Sequence, residues 1–344
     1  MPPLVSILIP AYNAEGFIGE TLRSAVAQTW PRKEIIVVDD GSKDRTVEIA
    51  RQFASKEVKI VQKENEGAAA TRNYALRLSQ GDYIQWLDAD DLLAPDKIER
   101  QLNALGLLGS ERILLSSAWA YFRYRPHQAK FAPTSLWHDL SPIEWLVRKM
   151  SDNIHMQTAT WLTSRELADA AGLWDTRLLS DDDGEYFCRV LLASQGTCFV
   201  PEAKMFYRLS PSNRLSRIGM SDRKKDAMLV SMKLHMQYLR SLEKSDRVCK
   251  ACITYMTNWL DNFYPDRPDL VAELQSIASE LNGHLEAPAL RWKYAWMKPV
   301  FGFKAAKRAQ LVLPELKSSL INLWDKAMYN LEQGSGRENR LERT

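Results

Sequence analysis

The sequence predicts an α/β protein: a doubly wound, mostly parallel sheet with helices on both faces, followed by a C-terminal helical extension. Three observations carry this prediction. Over the first 120 residues short β-rich runs alternate with helical patterns in the order βαβαβαβ, a polar cluster closes each of the four runs, and beyond about residue 220 the pattern turns helical. Such alternation gives parallel strands covered on both sides, with ligands outside the strands' carboxyl ends.

"VSILIP" reads as the first strand, "FIGETLRSAVAQ" as a helix with Phe17, Ile18, Leu22 and Val26 on one side, and "EIIVVDD" as the second strand. "DRTVEIARQFA" is then a helix, "VKIVQ" a strand, "GAAATRNYALRLS" a helix and "DYIQWLD" a strand. The closing clusters are "PAYN", "DDGSKD", "ENEG" and "DADD". Four loops therefore converge on one edge of the sheet, where a rigid scaffold carries function. From about 140 to 215 the pattern is mixed, with helices near "PIEWLVRKM", "SRELADAAG" and "GEYFCRVLLAS" and a short strand at "TCFVP". The end, "EQGSGRENRLERT", reads as a frayed tail.

The 344 residues, 45% of them hydrophobic, suffice for one large domain and a smaller extension. A net charge of +3, from 46 basic and 43 acidic residues, makes no general case for nucleic acid as a partner. No apolar run reaches bilayer-spanning length, and the N-terminus lacks the basic leader and cleavage site of a signal peptide, so a cytoplasmic protein is expected. Four cysteines fit a reducing compartment. Cys249 and Cys252 form a single C-x-x-C, read as two thiols on one helix face rather than a zinc site. His138, His155 and His235 have no spacing that suggests a metal.

Three carboxylates crowd the end of "YIQWLDADDLL", a costly arrangement unless something positive sits there. Asp88 and Asp90 can turn toward one cation, while Asp91 is placed to cap the helix that begins near Pro95. Hard oxygen ligands of this kind suit Mg²⁺ or Mn²⁺, completed by substrate phosphates. A solvated turn with capping aspartates is the alternative. Asp39 and Asp40 can accept hydrogen bonds from a base or ribose, or can simply close a strand. Gly67 opens a helix containing Arg72, and its N–H groups and dipole favour an anion.

Taken together, "VSILIPAYN", "EIIVVDDGSKDRT", "NEGAAATRN" and "GDYIQWLDADD" resemble the nucleotide-sugar-binding half of the inverting glycosyltransferases of family 2, which have the GT-A fold. The resemblance covers about residues 4 to 100 and extends more loosely to about 217. It implies a GT-A nucleotide-sugar-binding and catalytic domain over 1–217, with a donor half (1–120) and an acceptor and base half (121–217), then a helical region (218–330) and the tail (331–344). It further implies that Pro10, Tyr12 and Asn13 border the nucleotide, that Asp40 holds the base with Asp39 beside it, and that Arg72 lies near the base or diphosphate. Gly67 and Ala89 fall in the same binding motifs. Asp88 and Asp90 become the D-x-D pair, Asp90 being the more direct metal ligand.

An inverting transfer needs a general base opposite the leaving diphosphate. In "GLWDTRLLSDDDGEYFCRVLL" the resemblance places that base at Asp183, with Asp182 second and the register among Asp181, Asp182 and Asp183 open. A charged helix N-terminus is the plainer reading of those aspartates. Where the family often carries a histidine after "FYR", this chain has Ser210, so Arg208, Ser210, Asn213 or Arg214 would have to substitute. His155 precedes a segment that resembles the acceptor-side wall.

"RWKYAWMKPVFGFKAAKR", residues 291–308, carries six basic residues, no acid and five interleaved aromatics, the ingredients of a segment lying on an anionic membrane surface. A helix packing its aromatics inward is the alternative, and Pro299 and Gly302 interrupt any long helix there. The expectation is a metal-assisted transferase, cytoplasmic or peripheral on the inner face of the plasma membrane. It would move sugar from a nucleotide-diphosphate donor, a UDP-sugar first, to a glycan or lipid-linked acceptor in surface polysaccharide synthesis. A nucleotidyltransferase is disfavoured because "PAYNAEGF" lacks a basic Gly-rich loop; a catalytically inactive scaffold that binds sugar nucleotides is the remaining alternative.

Overall fold

The computed structural model describes residues 1–108, 112–209, 221–264, 266–286, 288, 290 and 292–341. Its first half runs β1 (Val5–Ala11), α1 (Ile18–Val26), β2 (Lys33–Asp39), α2 (Thr46–Arg51), β3 (Val58–Gln62), α3 (Ala68–Leu78), β4 (Tyr83–Trp86), β5 (Leu92–Leu93), α4 (Lys97–Leu108) and β6 (Ile113–Phe122). There follow β7 (Lys130–Phe131), α5 (Pro142–Asp152), β8 (Thr163–Ser164), α6 (Arg165–Ala171), α7 (Asp182–Ala193) and β9 (Gly196–Arg208). The C-terminal part is helical: α8 (Asp222–Leu242), α9 (Asp246–Trp259), α10 (Pro268–Glu280), α11 (Trp292–Ala295) and α12 (Lys298–Leu341).

The central sheet has the order β3-β2-β1-β4-β8, its first four strands parallel and β8 antiparallel at the edge. β1 and β2 are apolar on both faces because helices cover both: Ile7, Leu8, Ile9, Ile35, Ile36, Val37 and Val38 are all essentially inaccessible. Each such side chain contributes roughly 1.5–3 kcal/mol of burial. The expected amphipathic face of α1 is corrected in one position. Ile18, Leu22 and Ala25 point inward with Thr21, whereas Val26 is exposed. Thr21 can be buried because its hydroxyl donates to the Ala89 carbonyl at 2.9 Å.

A second sheet, β5-β9-β6-β7, continues from the first. Its centre is the parallel pair β6 and β9, with a register shift at Ser117/Ala118. The strand expected only at "TCFVP" is thirteen residues long, and the apolar run "ILLSSAWAYF" is its partner. Length and hydrophobicity cannot tell a buried strand from a buried helix; the pairing does.

In the C-terminal region Cys249 and Cys252 sit on α9 as free thiols, Cys252 buried and pushed up to about 12 by that burial. His235 on α8 is fully buried against Tyr255 Oη at 2.9 Å. Residues 291–308 divide between the two readings of the sequence. Tyr294 and Lys307 are buried, Lys307 on Asp261 at 2.6 Å, and Phe303 packs on Tyr264, while Trp292, Trp296, Val300 and Phe301 stay exposed. Gly302, at φ 78°, breaks the helix as expected. Helix α12 runs to Leu341, within the stretch read as a tail. Among the described residues no helix is long and apolar enough to cross a membrane.

Candidate active site

The loops after β1 and β2 are laced together before any ligand is considered. Asn13, in the left-handed region at φ 47°, accepts from the Lys43 N–H at 2.8 Å and donates its own N–H to Ser42 Oγ at 2.9 Å. The Ala14 N–H reaches Thr46 Oγ1 at 2.7 Å. Asp39 accepts from the Ser42 N–H at 3.0 Å and from its hydroxyl. Asp40 accepts from Lys63 Nζ at 2.7 Å and from the N–H groups of Glu66 and Gly67 at 2.9 and 2.8 Å. Burial works to raise the Asp40 carboxyl, but Lys63 and these N–H groups outweigh it and hold the group low.

Two expectations change here. At the Gly67 end of α3 the Asp40 side chain already takes the Gly67 N–H. Asp40 is likewise turned inward, and a base held by its carboxylate would have to compete with these donors. Beside it lies a shallow hollow lined by Tyr12, Gly41, Lys43, Gln62, Lys63 and Asn65. Pro10, near the end of the central strand β1, is half-buried, and Tyr12 is exposed. Gly41 is needed where it stands: its φ is +74°, and a Cβ there would approach the Asn65 N to 3.1 Å.

The positive charge that "DADD" calls for is Arg72. Its guanidinium bonds Asp88 Oδ1 at 2.9 Å and Asp182 Oδ2 at 2.7 Å and lies 4.5 Å from the centroid of the Trp174 ring. Asn73, next on α3, fixes Trp174 by accepting from its N–H at 2.8 Å and donating to its carbonyl at 2.9 Å. Trp174 stacks on Tyr186 with centroids 4.2 Å apart. Burial opposes the charge on Arg72, but Asp182, Asp88 and Asp183 raise it above its ordinary value. Burial also pushes the Asp182 carboxyl up to about 6 against the pull of Arg72, with Asp183 and Asp88 adding to the rise.

The three consecutive aspartates point three ways. Asp181, at φ 55°, accepts from Ser231 Oγ on α8 at 2.9 Å and lies 3.6 Å from His235. Asp182 faces Arg72. Asp183 accepts from Thr158 Oγ1 at 3.2 Å. His155 lies on the Trp119 ring, 5.7 Å between centroids, and next to Gln157.

Asp91, expected as the cap of α4, is turned to β9. It is buried, and its Oδ1 accepts the Arg208 N–H at 2.8 Å. Arg208 is not available to a diphosphate: it is fully buried, with Nε on the Asp90 carbonyl at 2.6 Å and Nη2 on Glu20 at 2.6 Å. Ser210, Asn213 and Arg214 lie outside the described residues. Asp88 and Asp90 are both half-buried at the mouth of the loop. Two carboxylates are the hard-oxygen donor set that Mg²⁺ or Mn²⁺ accepts when phosphate oxygens complete its shell. Among the described residues no cluster of three His, Cys, Asp or Glu could hold a metal without such help.

Arg72 was expected beside the nucleotide, not as the bridge between two acidic motifs 94 residues apart in sequence. Trp174, Asn73 and Thr158 were not singled out at all. The "GLWD" turn just upstream of the aspartates is the one signal that marks Trp174.

Residues 6–111 match the Glycosyl transferase family 2 model. The putative teichuronic acid biosynthesis glycosyltransferase TuaG of Bacillus subtilis is 44% identical over 103 residues, 29% of this chain and 41% of that one. The chain spans about 40% to 54% of the length of the first curated relatives it matches. Among solved structures, S. aureus TarS 1-349 in complex with UDP-GlcNAc superposes with a TM-score of 0.61 at 16% identity, covering 89% of this chain and 91% of that one. The mannosyltransferase PcManGT of Pyrobaculum calidifontis, in complex with GDP-Man and Mn²⁺, gives 0.52 at 21% identity, covering 95% and 88%. At such identities the likeness is one of fold, the GT-A arrangement.

Proposed function

We propose that this chain, whose residues 6–111 match the Glycosyl transferase family 2 model, is an inverting glycosyltransferase using a nucleotide-diphosphate sugar, a UDP-sugar first. The acceptor is a hydroxyl of a glycan or lipid-linked glycan in surface polysaccharide synthesis. The observation that carries the reading is the convergence of Asp88, Arg72 and Asp182 in one ion-pair chain, with Asp183 next to it, bonded to Thr158. The UDP-GlcNAc and GDP-Man in the TarS and PcManGT complexes and the name of TuaG support the donor and polymer classes.

In this reading the base and ribose lie in the hollow between Tyr12, Gly41 and Lys63, bordered by Pro10 and Asn13, with Asp39 and Asp40 fixing its walls. The diphosphate lies over Asp88, Ala89 and Asp90. A divalent cation, Mn²⁺ or Mg²⁺, held by Asp88 and Asp90 would offset the charge that builds on the departing nucleoside diphosphate. Asp183 accepts the proton of the acceptor hydroxyl as its oxygen attacks the anomeric carbon, and the bond to the diphosphate breaks on the opposite face. Arg72 keeps Asp88 and Asp182 oriented and balances their charge. Asp182 is the second choice as base, its carboxyl being engaged by Arg72. The exposed Trp292, Trp296 and Phe301 with Lys293 and Lys298 suit an anionic membrane surface. Salt-sensitive sedimentation with anionic but not neutral vesicles tests that contact, and equal sedimentation with both removes it.

The test is release of nucleoside diphosphate from UDP-, GDP- and dTDP-sugars by wild type, Asp90→Asn and Asp183→Asn. One donor should be hydrolysed slowly, and EDTA and both substitutions should stop it. Donor binding that persists without turnover when glycan acceptors are supplied would favour the inactive scaffold. No binding of any donor by calorimetry would end the nucleotide-sugar reading.

A further inference from the structure

Glu20, in the first turn of α1, takes no part in the chemistry above, yet it joins the C-terminal helix to the loop of Asp88–Asp90. Its Oε1 accepts from Tyr329 Oη on α12 at 2.9 Å. Its Oε2 pairs with Arg208 Nη2 at 2.6 Å. Arg208 passes the contact on: Nε donates to the Asp90 carbonyl at 2.6 Å, and the backbone N–H donates to Asp91 Oδ1 at 2.8 Å. The guanidinium is clamped between the Phe122 and Phe17 rings, 4.4 and 5.0 Å from their centroids, and Nη1 donates to the Arg123 carbonyl at 2.9 Å. Three side chains thus lead from α12 to the backbone of the D-x-D loop.

The same stretch of α12 is fastened nearby. Arg125 pairs with Asp325 at 2.7 Å and Glu332 at 3.0 Å, the Tyr124 N–H donates to Asp325 at 3.0 Å, and Arg123 bonds Asn322. The attachment is polar. Leu320, Leu323 and Trp324 of this stretch are exposed, and Trp324 meets the domain through the Arg125 guanidinium, 5.2 Å from its ring centroid. A cleft of about 670 Å³, lined by Glu20, Arg23, Tyr124, Arg125, Tyr329 and Glu332, remains between helix and domain. These contacts are few and local, beside an open cleft, so this helix can leave without unfolding what it rests on.

We propose that the docked C-terminal helix sets the donor loop, with Tyr329 and Glu20 as positioning residues acting through Arg208. Docked, Glu20 is held from both sides and aims Arg208 at the Asp90 carbonyl and the Asp91 carboxylate. Undocked, Glu20 is free to swing, and the loop that presents Asp88 and Asp90 loses its anchor. Asp183 stands on another element, so the device acts on donor binding rather than on proton removal. This rests on the donor site proposed above.

Two measurements on the full chain separate the two ideas. Hydrogen exchange without any nucleotide should be faster at residues 88–93 in Tyr329→Phe, Glu20→Gln and Asp325→Ala than in wild type, with strand 35–38 unchanged. Calorimetry with UDP and Mn²⁺ should give a dissociation constant about tenfold weaker in those variants, the size of one charged hydrogen bond. The donor KM should rise with it while kcat at saturating donor is kept. Tyr329→Phe removes only a hydroxyl, so its melting point serves as the check on folding. Unchanged exchange at 88–93, or a fall in kcat with KM constant, overturns the proposal whatever the donor proves to be. Altered exchange together with no nucleotide binding in wild type would leave the positioning intact and overturn the donor reading instead.

Discussion

Asp39 and Asp40 close β2, Asp88 and Asp90 close β4, and the two strands flank β1 in one sheet. The first pair is saturated from within: the Asp40 side chain is 5% exposed and bonded to an ammonium and two backbone N–H groups. In the second pair Asp88 bonds one arginine, which it shares with Asp182. Asp88 keeps 29% of its side chain exposed at the cleft. A carboxylate whose lone pairs are spent on its own chain builds a wall. One held from a single side, next to others, keeps capacity for a cation or a phosphate-bound metal. Identical residue types at equivalent strand ends thus divide between architecture and chemistry according to what donates to them.

The sharpest way to break this contrast is Arg72→Ala. It strips Asp88 and the buried Asp182 of their common partner, and removing one member of a buried ion pair costs about 3–5 kcal/mol. Donor turnover should vanish and the urea midpoint fall steeply; a variant as stable as wild type would mean that Arg72 does not balance these carboxylates. Asp40→Ala should be milder, at a cost of about 1–3 kcal/mol: the N–H groups of Glu66 and Gly67 lose their acceptor, while Lys63 keeps the Glu64 carbonyl and Glu66. Chemical denaturation measures it, and a neutral result would show that the wall is not built on Asp40.

The finest test is the pH dependence of stability, where the two clusters have opposite signs. Asp40 is held below its ordinary value, so its ionised form adds stability above about pH 4 that is lost as pH falls through the folded value. Asp182 is raised to about 6, so the folded state keeps a proton that the unfolded chain releases between about pH 4 and 6. Its ionised form therefore costs stability progressively across that window and fully above it. Relative to wild type, Asp182→Asn should gain as pH rises from 4 to 6 and level off beyond, whereas Asp40→Asn should show a deficit that is flat above 4 and shrinks below. Melting temperatures at pH 3.5, 5 and 7.5 read both, and parallel curves for the two variants would abolish the distinction.

Much of this was legible in the chain. The order of strands and helices through β4, the convergence of their loops and the placing of Asp88 and Asp90 just past a strand follow from local periodicity and from carboxylates at strand ends, which are short-range signals. The length of β9 and the role of β6 were not legible, because a buried apolar run declares itself a strand only through its partner. The partner of "DADD" was hidden for the same reason: Arg72 lies 16 residues from Asp88 but 110 from Asp182, and nothing local ties the three.

What the sequence alone determined is the alternation that makes a parallel sheet and the placing of acid residues at its edge, since both depend on neighbours a few positions apart. Only the tertiary structure decided which of those acids are spent and which remain available. It turned Asp181 toward α8, Asp182 toward Arg72 and Asp183 toward Thr158. It also turned Arg208 inward as an anchor rather than outward as a ligand. Hydrogen-bond donors reach a carboxylate through space, from elements the chain brings together only on folding.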